Sequence, residues 1–164
     1  MKLKITNSTI IAKAINSVSG VAKMAIPKLD GVPISTQATL LNVLPSDNNY
    51  KEVIEVETTT IDEIVESLGL NKINFIKIDT EGYDSIVLNS GYNTICQFKP
   101  ILKMENNCFT SELKWLFEMD YIAFKLIRGN LIILNCQDEN LKFKGDTYLT
   151  PQNQLDTIKK KLIR

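Results

Sequence analysis

The feature that most constrains the fold is an apolar run at residues 73–79, INFIKID, which is nearly continuous apart from Lys77 and ends at Asp79. Such runs are typical of strands that are covered on both faces, as in parallel sheets. The next residues, 80–82, turn the chain into an amphipathic helix that ends at residues 90–91, Ser-Gly. The segment therefore predicts a strand–turn–helix unit of a parallel sheet.

A strand and a helix are predicted directly upstream of this unit. Residues 53–56 suit a strand, and Thr60 with Glu63 three residues later forms a capping box that begins a helix. Gly69 is a suitable C-cap for that helix. The order up to residues 73–79 is therefore strand, helix, strand.

A second parallel strand and an antiparallel hairpin are predicted downstream. ILKME, residues 101–105, suits the strand, and Thr110 can cap the amphipathic helix that follows it. YIAFKLI and LIILNC, within residues 121–136, are joined only by residues 128–130, and so short a connection forces an antiparallel pair. The prediction is an α/β fold with a mixed sheet.

The two ends of the chain are predicted to differ. In residues 1–52 helical periodicity is weak, and IIAKAIN and VAKMAIP, separated by residues 17–20, suggest a hairpin among loops. In residues 151–164 apolar side chains at helical spacing predict a terminal helix with cations near its C-terminus. The predicted organisation is a domain at 1–150, with its core half at 53–150, followed by this helical tail.

Composition excludes several classes of function. Nineteen Lys and Arg balance nineteen Asp and Glu, so no net field would gather nucleic acid or anionic lipid. The absence of His excludes Ser-His-Asp hydrolysis and most histidine metal sites. The three Cys form no C-x-x-C pair, and no apolar run approaches the roughly 18 residues that cross a bilayer. We expect a cytoplasmic protein with a small-molecule partner, without nucleic acid, membrane or bound metal.

Acidic residues lie where the two predicted parallel strands end. Asp79 closes the first strand, Glu81 lies on the turn after it, and Glu105 closes the second strand. Because the ligand crevice of open α/β sheets lies outside the carboxyl ends of the strands, these carboxylates are expected to converge on one rim. The sequence therefore predicts a candidate site at this edge.

Structural alternatives remain open for the same residues. Asp79 or Thr80 can cap the following helix, with Glu81 in its first turn, where the helix dipole favours negative charge. Asp79 and Glu81 can also hold magnesium or calcium, which prefer oxygen ligands. Lys77 can neutralise a carboxylate, bind substrate, or extend its charged head along the sheet.

Residues 58–106 carry a longer ordered pattern, TTTIDEIVESLGLNKINFIKIDTEGYDSIVLNSG followed by KPILKMEN. It resembles the FkbM-type S-adenosylmethionine-dependent methyltransferases, which show a Thr-Leu-Asp helix start, then IKIDVEG with E-x-x-V-L-x-G behind it, then K-P-x-I-x-x-E. The matching positions are Ile76 to Gly82, Val87, Leu88, Gly91, Lys99, Pro100 and Glu105. The positions that depart from the pattern are Ile61, Thr80, Asp84, Asn89 and Ser90.

The resemblance implies a Rossmann-like class I methyltransferase fold, with S-adenosylmethionine as cofactor and most often a substrate hydroxyl as methyl acceptor. Methyl transfer mainly requires alignment of donor and acceptor, with a base for the acceptor's proton. Asp79 and Glu81 are the candidates for this catalytic base, and Asp79 is also a weak candidate for cofactor binding. Glu105 and Lys77 are the candidates for substrate binding.

The sequence departs from the family in its first part. The family's first strand leads into a D-x-G-A-N-x-G donor loop, but the chain contains no G-x-G and no such strand–loop–helix unit before residue 10. In the family's sheet the first two strands lie beside the strand that matches residues 73–79. We therefore expect a truncated sheet with an open edge through which copies of the chain associate. The alternatives are an incomplete gene model and a non-catalytic remnant that acts as an interaction module.

Overall fold

The computed structural model describes residues 7–29, 32–33, 38–40, 50–80, 82–105, 113–134 and 145–162. Within these ranges the chain forms ten strands and five helices, and the strands make two mixed five-stranded sheets. In chain order the elements are β1 (Ala14–Ile15), β2 (Gly20–Leu29), β3 (Val32–Pro33), β4 (Thr39–Leu40), β5 (Tyr50–Thr59), α1 (Ile61–Ser67), β6 (Phe75–Ile78), α2 (Asp84–Asn89), α3 (Tyr92–Phe98), β7 (Ile101–Met104), α4 (Lys114–Glu118), β8 (Tyr121–Ile127), β9 (Asn130–Ile133), β10 (Thr147–Pro151) and α5 (Gln152–Leu162).

The N-terminal sheet is built on the two ten-residue strands β2 and β5, which pair antiparallel from Gly20 opposite Thr58 to Ala25 opposite Val53. β1 pairs in parallel with the other edge of β5, while β3 and β4 pair with β2. The predicted hairpin between IIAKAIN and VAKMAIP is therefore wrong. Its two segments do not pair with each other, because β5 lies between them and bonds to both.

The C-terminal sheet has the strand order β6-β7-β10-β8-β9. β6 and β7 are parallel, as predicted, and β8 and β9 form the predicted antiparallel hairpin. Its two-residue turn, Arg128-Gly129, has positive φ at both positions, which matches the twist of a tight hairpin. β10 was not predicted; it lies antiparallel between β7 and β8.

The helices largely follow the sequence signals. Thr60 caps α1, since its Oγ1 accepts a hydrogen bond from the backbone N–H of Glu63 at 3.0 Å, and Gly69 has φ +58° after the helix end. α2 ends before Ser90, as predicted, and α5 forms the predicted terminal helix. α3 was not predicted. Thr110, the predicted cap of α4, lies outside the described residues.

The hydrophobic core lies against one face of the C-terminal sheet. Its members come from the sheet strands, from α2, α3 and α4, and from residues at the ends of these elements: Ile78, Val87, Leu88, Ile95, Leu102, Met104, Leu113, Leu116, Tyr121, Ala123, Leu134 and Leu149. Trp115 packs half-buried against it, and its indole N–H donates to Asn89 Oδ1 at 2.8 Å. Cys96 is a half-buried free thiol, whereas Cys108 and Cys136 lie outside the described residues.

Strand β6 forms the edge of its sheet. Among the described residues its only strand neighbour is β7. Ile78 is buried on the core side, but Phe75 is 49% exposed and the Lys77 side chain is 51% exposed. The prediction that this strand is covered on both faces is therefore wrong. An apolar sequence does not determine what covers a strand. Here the face with Phe75 and Lys77 is half-exposed, and one edge pairs with no strand in the described part of the chain.

Helix α1 connects the two sheets. The Asp62 carboxylate accepts hydrogen bonds from the backbone N–H groups of Asn93 and Thr94, at 3.1 and 2.8 Å, and from the Asn93 side chain at 2.9 Å. These bonds fix α1, which directly follows β5, on α3 of the C-terminal layer. Among the helices that the structure describes, none combines the length and the hydropathy that crossing a membrane requires.

Candidate functional site

The candidate site lies at the carboxyl ends of β6 and β7. In their parallel register Ile78 pairs with Met104, so the next residues, Asp79 and Glu105, lie side by side where the strands end. The structure thus brings together two of the three carboxylates that the sequence placed on one rim. Glu81 lies outside the described residues.

The rim holds Asp79 in its ionised form. A hydrogen bond shared between the carboxyl groups of Asp79 and Glu105, and secondly one from the Lys77 ammonium group, lower the pKa of Asp79 below its ordinary value. The more distant charge of Lys103 also lowers the pKa of Asp79, although by less than these two hydrogen bonds. Asp79 is therefore a carboxylate at neutral pH, half-exposed and hydrogen-bonded to its neighbours.

A second ion pair extends the rim along the sheet. Lys103 lies beside Lys77 in the β6–β7 register, and its ammonium group is 2.6 Å from a carboxylate oxygen of Asp146. This contact raises the pKa of Lys103. The same ammonium group lies 5.8 Å from the ring centroid of Tyr148, within the range of a cation–π contact. The rim thus has a row of lysines, Lys77 and Lys103, beside a row of acidic residues at the strand ends.

Lys103 and Asp146 were missed at the level of the sequence. A signal for Lys103 was available, because both strands end in the pattern Lys, apolar, acid: Lys77-Ile78-Asp79 and Lys103-Met104-Glu105. In a parallel register two such patterns align their lysines and their acids. Asp146 had no local signal, since it reaches the rim only because β10 pairs antiparallel with β7.

The predicted capping role of Asp79 or Thr80 is wrong. The N-cap of α2 is Tyr83, whose side chain makes no capping hydrogen bond. Instead Thr80 is a donor: its backbone N–H bonds Asp84 Oδ1 at 3.1 Å, and its hydroxyl bonds the same oxygen. Asp79 therefore interacts with the charged rim rather than with the helix.

The metal alternative receives no support from the described part of the chain, where no group of three or more potential ligands was found. Asp79 and Glu105 offer carboxylate oxygens, but both are engaged in the hydrogen bonds and ion pairs of the rim. The rim is better suited to organic cations and hydroxyl groups, because an ionised carboxylate accepts hydrogen bonds from both.

Comparison with known families defines the class of this protein as a methyltransferase domain. Residues 3–135 match the sequence model of the Methyltransferase FkbM domain, which is more than half of the chain. The chain therefore belongs to the FkbM methyltransferase family, which confirms the resemblance found in its motifs. No curated protein and no solved structure matches the chain significantly.

Proposed function

We propose that this chain is an S-adenosylmethionine-dependent methyltransferase that methylates a hydroxyl group of a small molecule, with its chemistry at the rim formed by Asp79 and Glu105. The family match supports methyl transfer. The observation that carries the assignment to this site is the ionised Asp79 carboxylate, positioned by Glu105 and Lys77 at the carboxyl edge of the parallel strands.

The residues of the rim have distinct proposed roles. Asp79 accepts a hydrogen bond from the acceptor hydroxyl, orients its oxygen and takes its proton; Glu81 is the second candidate for that base. A low pKa is sufficient for this task, because a hydroxyl oxygen becomes strongly acidic as it forms its new bond to carbon. Glu105 and Lys77 hold the Asp79 carboxylate in place and contact the substrate.

The charges of the rim fit the proposed cofactor in part. S-adenosylmethionine, when bound, supplies an electrophilic methyl group on a sulfonium, and it also carries an ammonium group. Asp79, as an ionised carboxylate at the strand end, suits either cation. We further propose that the C-terminal sheet is part of a Rossmann-like sheet, and that β6 lies where further strands of such a sheet pair.

Calorimetric titration with S-adenosylmethionine tests the function first. Binding by the wild-type chain is expected, and Asp79→Asn is expected to weaken it or to lower methyl transfer to hydroxylated acceptors about 10²-fold or more. Asp156→Asn is the matched control, because Asp156 is exposed on α5 and should leave both unchanged.

Thermal unfolding of the same variants separates chemistry from folding. Asp79→Asn should leave the melting temperature nearly unchanged, since Asp79 is half-exposed. Equal losses of activity and stability would leave Asp79 with a structural role only. Failure of the wild-type chain to bind S-adenosylmethionine would overturn the proposal as a whole.

The open edge of β6 favours a second candidate function, a non-catalytic interaction module whose partner is a second copy of the chain. An unpaired strand edge presents backbone donors and acceptors that another strand can bond. Phe75, 49% exposed at this edge, adds apolar surface. Size-exclusion chromatography with light scattering should show a dimer that Phe75→Lys converts to a monomer, while Val53→Lys, on the other sheet, leaves it dimeric. A wild-type monomer at all concentrations would exclude this function.

A further inference from the structure

A pocket of about 290 Å³ lies between the N-terminal sheet and helix α2. Its apolar walls include Ile15 of β1, Met24 of β2, Leu40 of β4 and Val87 of α2. The N-terminal sheet and α2 thus form the pocket together. Its volume is near the lower end of small-molecule sites, which suits a compact ligand of one or two rings.

The pocket is next to the acidic rim. Thr80 lines it and directly follows Asp79 in the chain, so the α carbons of these two residues are about 3.8 Å apart. A ligand that contacts Thr80 is therefore one residue along the chain from Asp79, the proposed base, which is not among the described residues that line the pocket. Neither the sequence motifs nor the charged rim pointed to this cavity.

The polar groups of the pocket select for an uncharged ligand with a hydroxyl. The Lys13 ammonium group is 3.1 Å from a Glu57 carboxylate oxygen, so its charge is already balanced. The Thr80 hydroxyl donates its hydrogen to Asp84, which orients its oxygen as an acceptor. A ligand O–H can donate to that oxygen, whereas a carboxylate or phosphate has no hydrogen to offer.

We infer that this pocket binds a neutral, largely apolar molecule that carries a hydroxyl group, and that this molecule is the methyl acceptor. Only the second part of this inference, that the bound molecule is the methyl acceptor, rests on the proposed function. Binding itself depends only on the apolar walls, the balanced charge of Lys13 and the acceptor oxygen of Thr80.

The test is a fluorescence titration of the wild-type chain with 2-naphthol in the absence of S-adenosylmethionine. We expect saturable binding, with weaker binding of naphthalene, which lacks the hydroxyl, and of 2-naphthoate, which carries a negative charge. Tighter binding of 2-naphthoate than of 2-naphthol, or no saturable binding of 2-naphthol, would overturn the inference.

Two variants place the ligand in the pocket. Leu40→Trp fills the cavity and should weaken 2-naphthol binding at least about tenfold, whereas Val21→Trp, 68% exposed on β2, is the matched control and should not change it. Equal affinity of Leu40→Trp and wild type would show that the ligand binds elsewhere, and the inference would be wrong.

Thr80→Val is the second variant. It keeps the shape of the side chain and removes the hydroxyl, and the backbone N–H of residue 80 still donates to Asp84 Oδ1. This variant should lower the affinity for 2-naphthol about three- to tenfold and leave the affinity for naphthalene unchanged. Loss of affinity for both probes would contradict the assigned role of Thr80. These titrations contain no methyl donor. A failure to bind 2-naphthol is therefore distinguishable from a failure to bind S-adenosylmethionine, and only the latter measurement tests the proposed function.

Discussion

The two sheets are stabilised in different ways. All but one of the buried apolar side chains among the described residues belong to the C-terminal sheet and the helices around it; the exception is Ala25 of β2. In the N-terminal sheet, Val21, Val53 and Ile54 are 68%, 43% and 37% exposed, although β2 and β5 share a long backbone ladder. Packing therefore stabilises one sheet, and main-chain hydrogen bonds stabilise the other.

This difference shows how stability is distributed over the molecule. A sheet with little buried apolar surface opens locally at a lower cost than one with a close-packed core. The N-terminal sheet is attached to the rest of the chain through the Asp62 hydrogen bonds of α1, and also through Ile15, which packs against the core. It nevertheless supplies three of the strands that line the pocket, so the pocket for which we propose ligand binding lies partly on the sheet with less buried apolar surface.

The largest expected effect is a cavity in the C-terminal core. Leu102→Ala should lower the free energy of unfolding by about 2–5 kcal/mol, because Leu102 is fully buried and the site cannot collapse completely. Val53→Ala, in the N-terminal sheet, should cost less than about 0.5 kcal/mol. Urea denaturation followed by circular dichroism measures both. Similar costs at the two positions would break the comparison between the sheets.

A smaller loss is expected where the sheets are joined. Asp62→Ala removes three hydrogen bonds to α3 and should cost about 1–3 kcal/mol, while Glu66→Ala, exposed on the same helix, should cost little. Hydrogen exchange should then show faster exchange of β2 and β5 amides with β7 amides unchanged. Equal acceleration in both sheets would mean that they open as one unit.

A gain of stability is expected in the C-terminal core. Thr150 is fully buried, and its hydroxyl has no hydrogen-bond partner in the described part of the chain. Thr150→Val keeps the shape and removes the unpaired polar atom, so it should stabilise the protein by about 1 kcal/mol. Thr157→Val, exposed on α5, should change nothing. Thermal unfolding compares the two variants, and a destabilised Thr150→Val would indicate a hidden partner.

The smallest expected effect is the contribution of Asp79 to the pH dependence of stability. The pKa of Asp79 is lower in the folded than in the unfolded chain. The ionised Asp79 therefore adds to the free energy of unfolding at pH values above its unfolded pKa, about 3.9, and this stabilisation is lost as the pH falls through its folded pKa. Urea midpoints between pH 3 and pH 7 should therefore fall slightly less steeply in Asp79→Asn than in wild type. Asp156→Asn should follow the wild-type profile; identical profiles for all three chains would refute the lowered pKa.

The parts of the fold that the sequence predicted are those with local signals. The capping pair Thr60 and Glu63, the two-residue turn at Arg128-Gly129 and the apolar strands before Asp79 and Glu105 each act within a few residues. The prediction that Asp79 and Glu105 lie close together followed from one general property, that parallel strands end at the same edge of a sheet.

The parts that were missed depend on contacts between distant segments or on weak local signals. α3 has no capping side chain at its N-cap, Gly91; its first-turn N–H groups bond to the distant Asp62 instead. It ends at Lys99, whose φ of +47° is unusual for a residue other than glycine. β10 and Asp146 are placed by pairing with β7 and β8, and β1 is placed by pairing with β5. No spacing within those segments specifies their partners.

The position of β10 has a consequence for biosynthesis. β7 and β8 are not bonded to each other; β10, which follows both in the chain, joins them. While the protein emerges from the ribosome, one edge of β7 and one edge of β8 have no strand partner until residues 147–151 have been translated. During that interval the nascent chain exposes two strand margins that a chaperone is suited to shield.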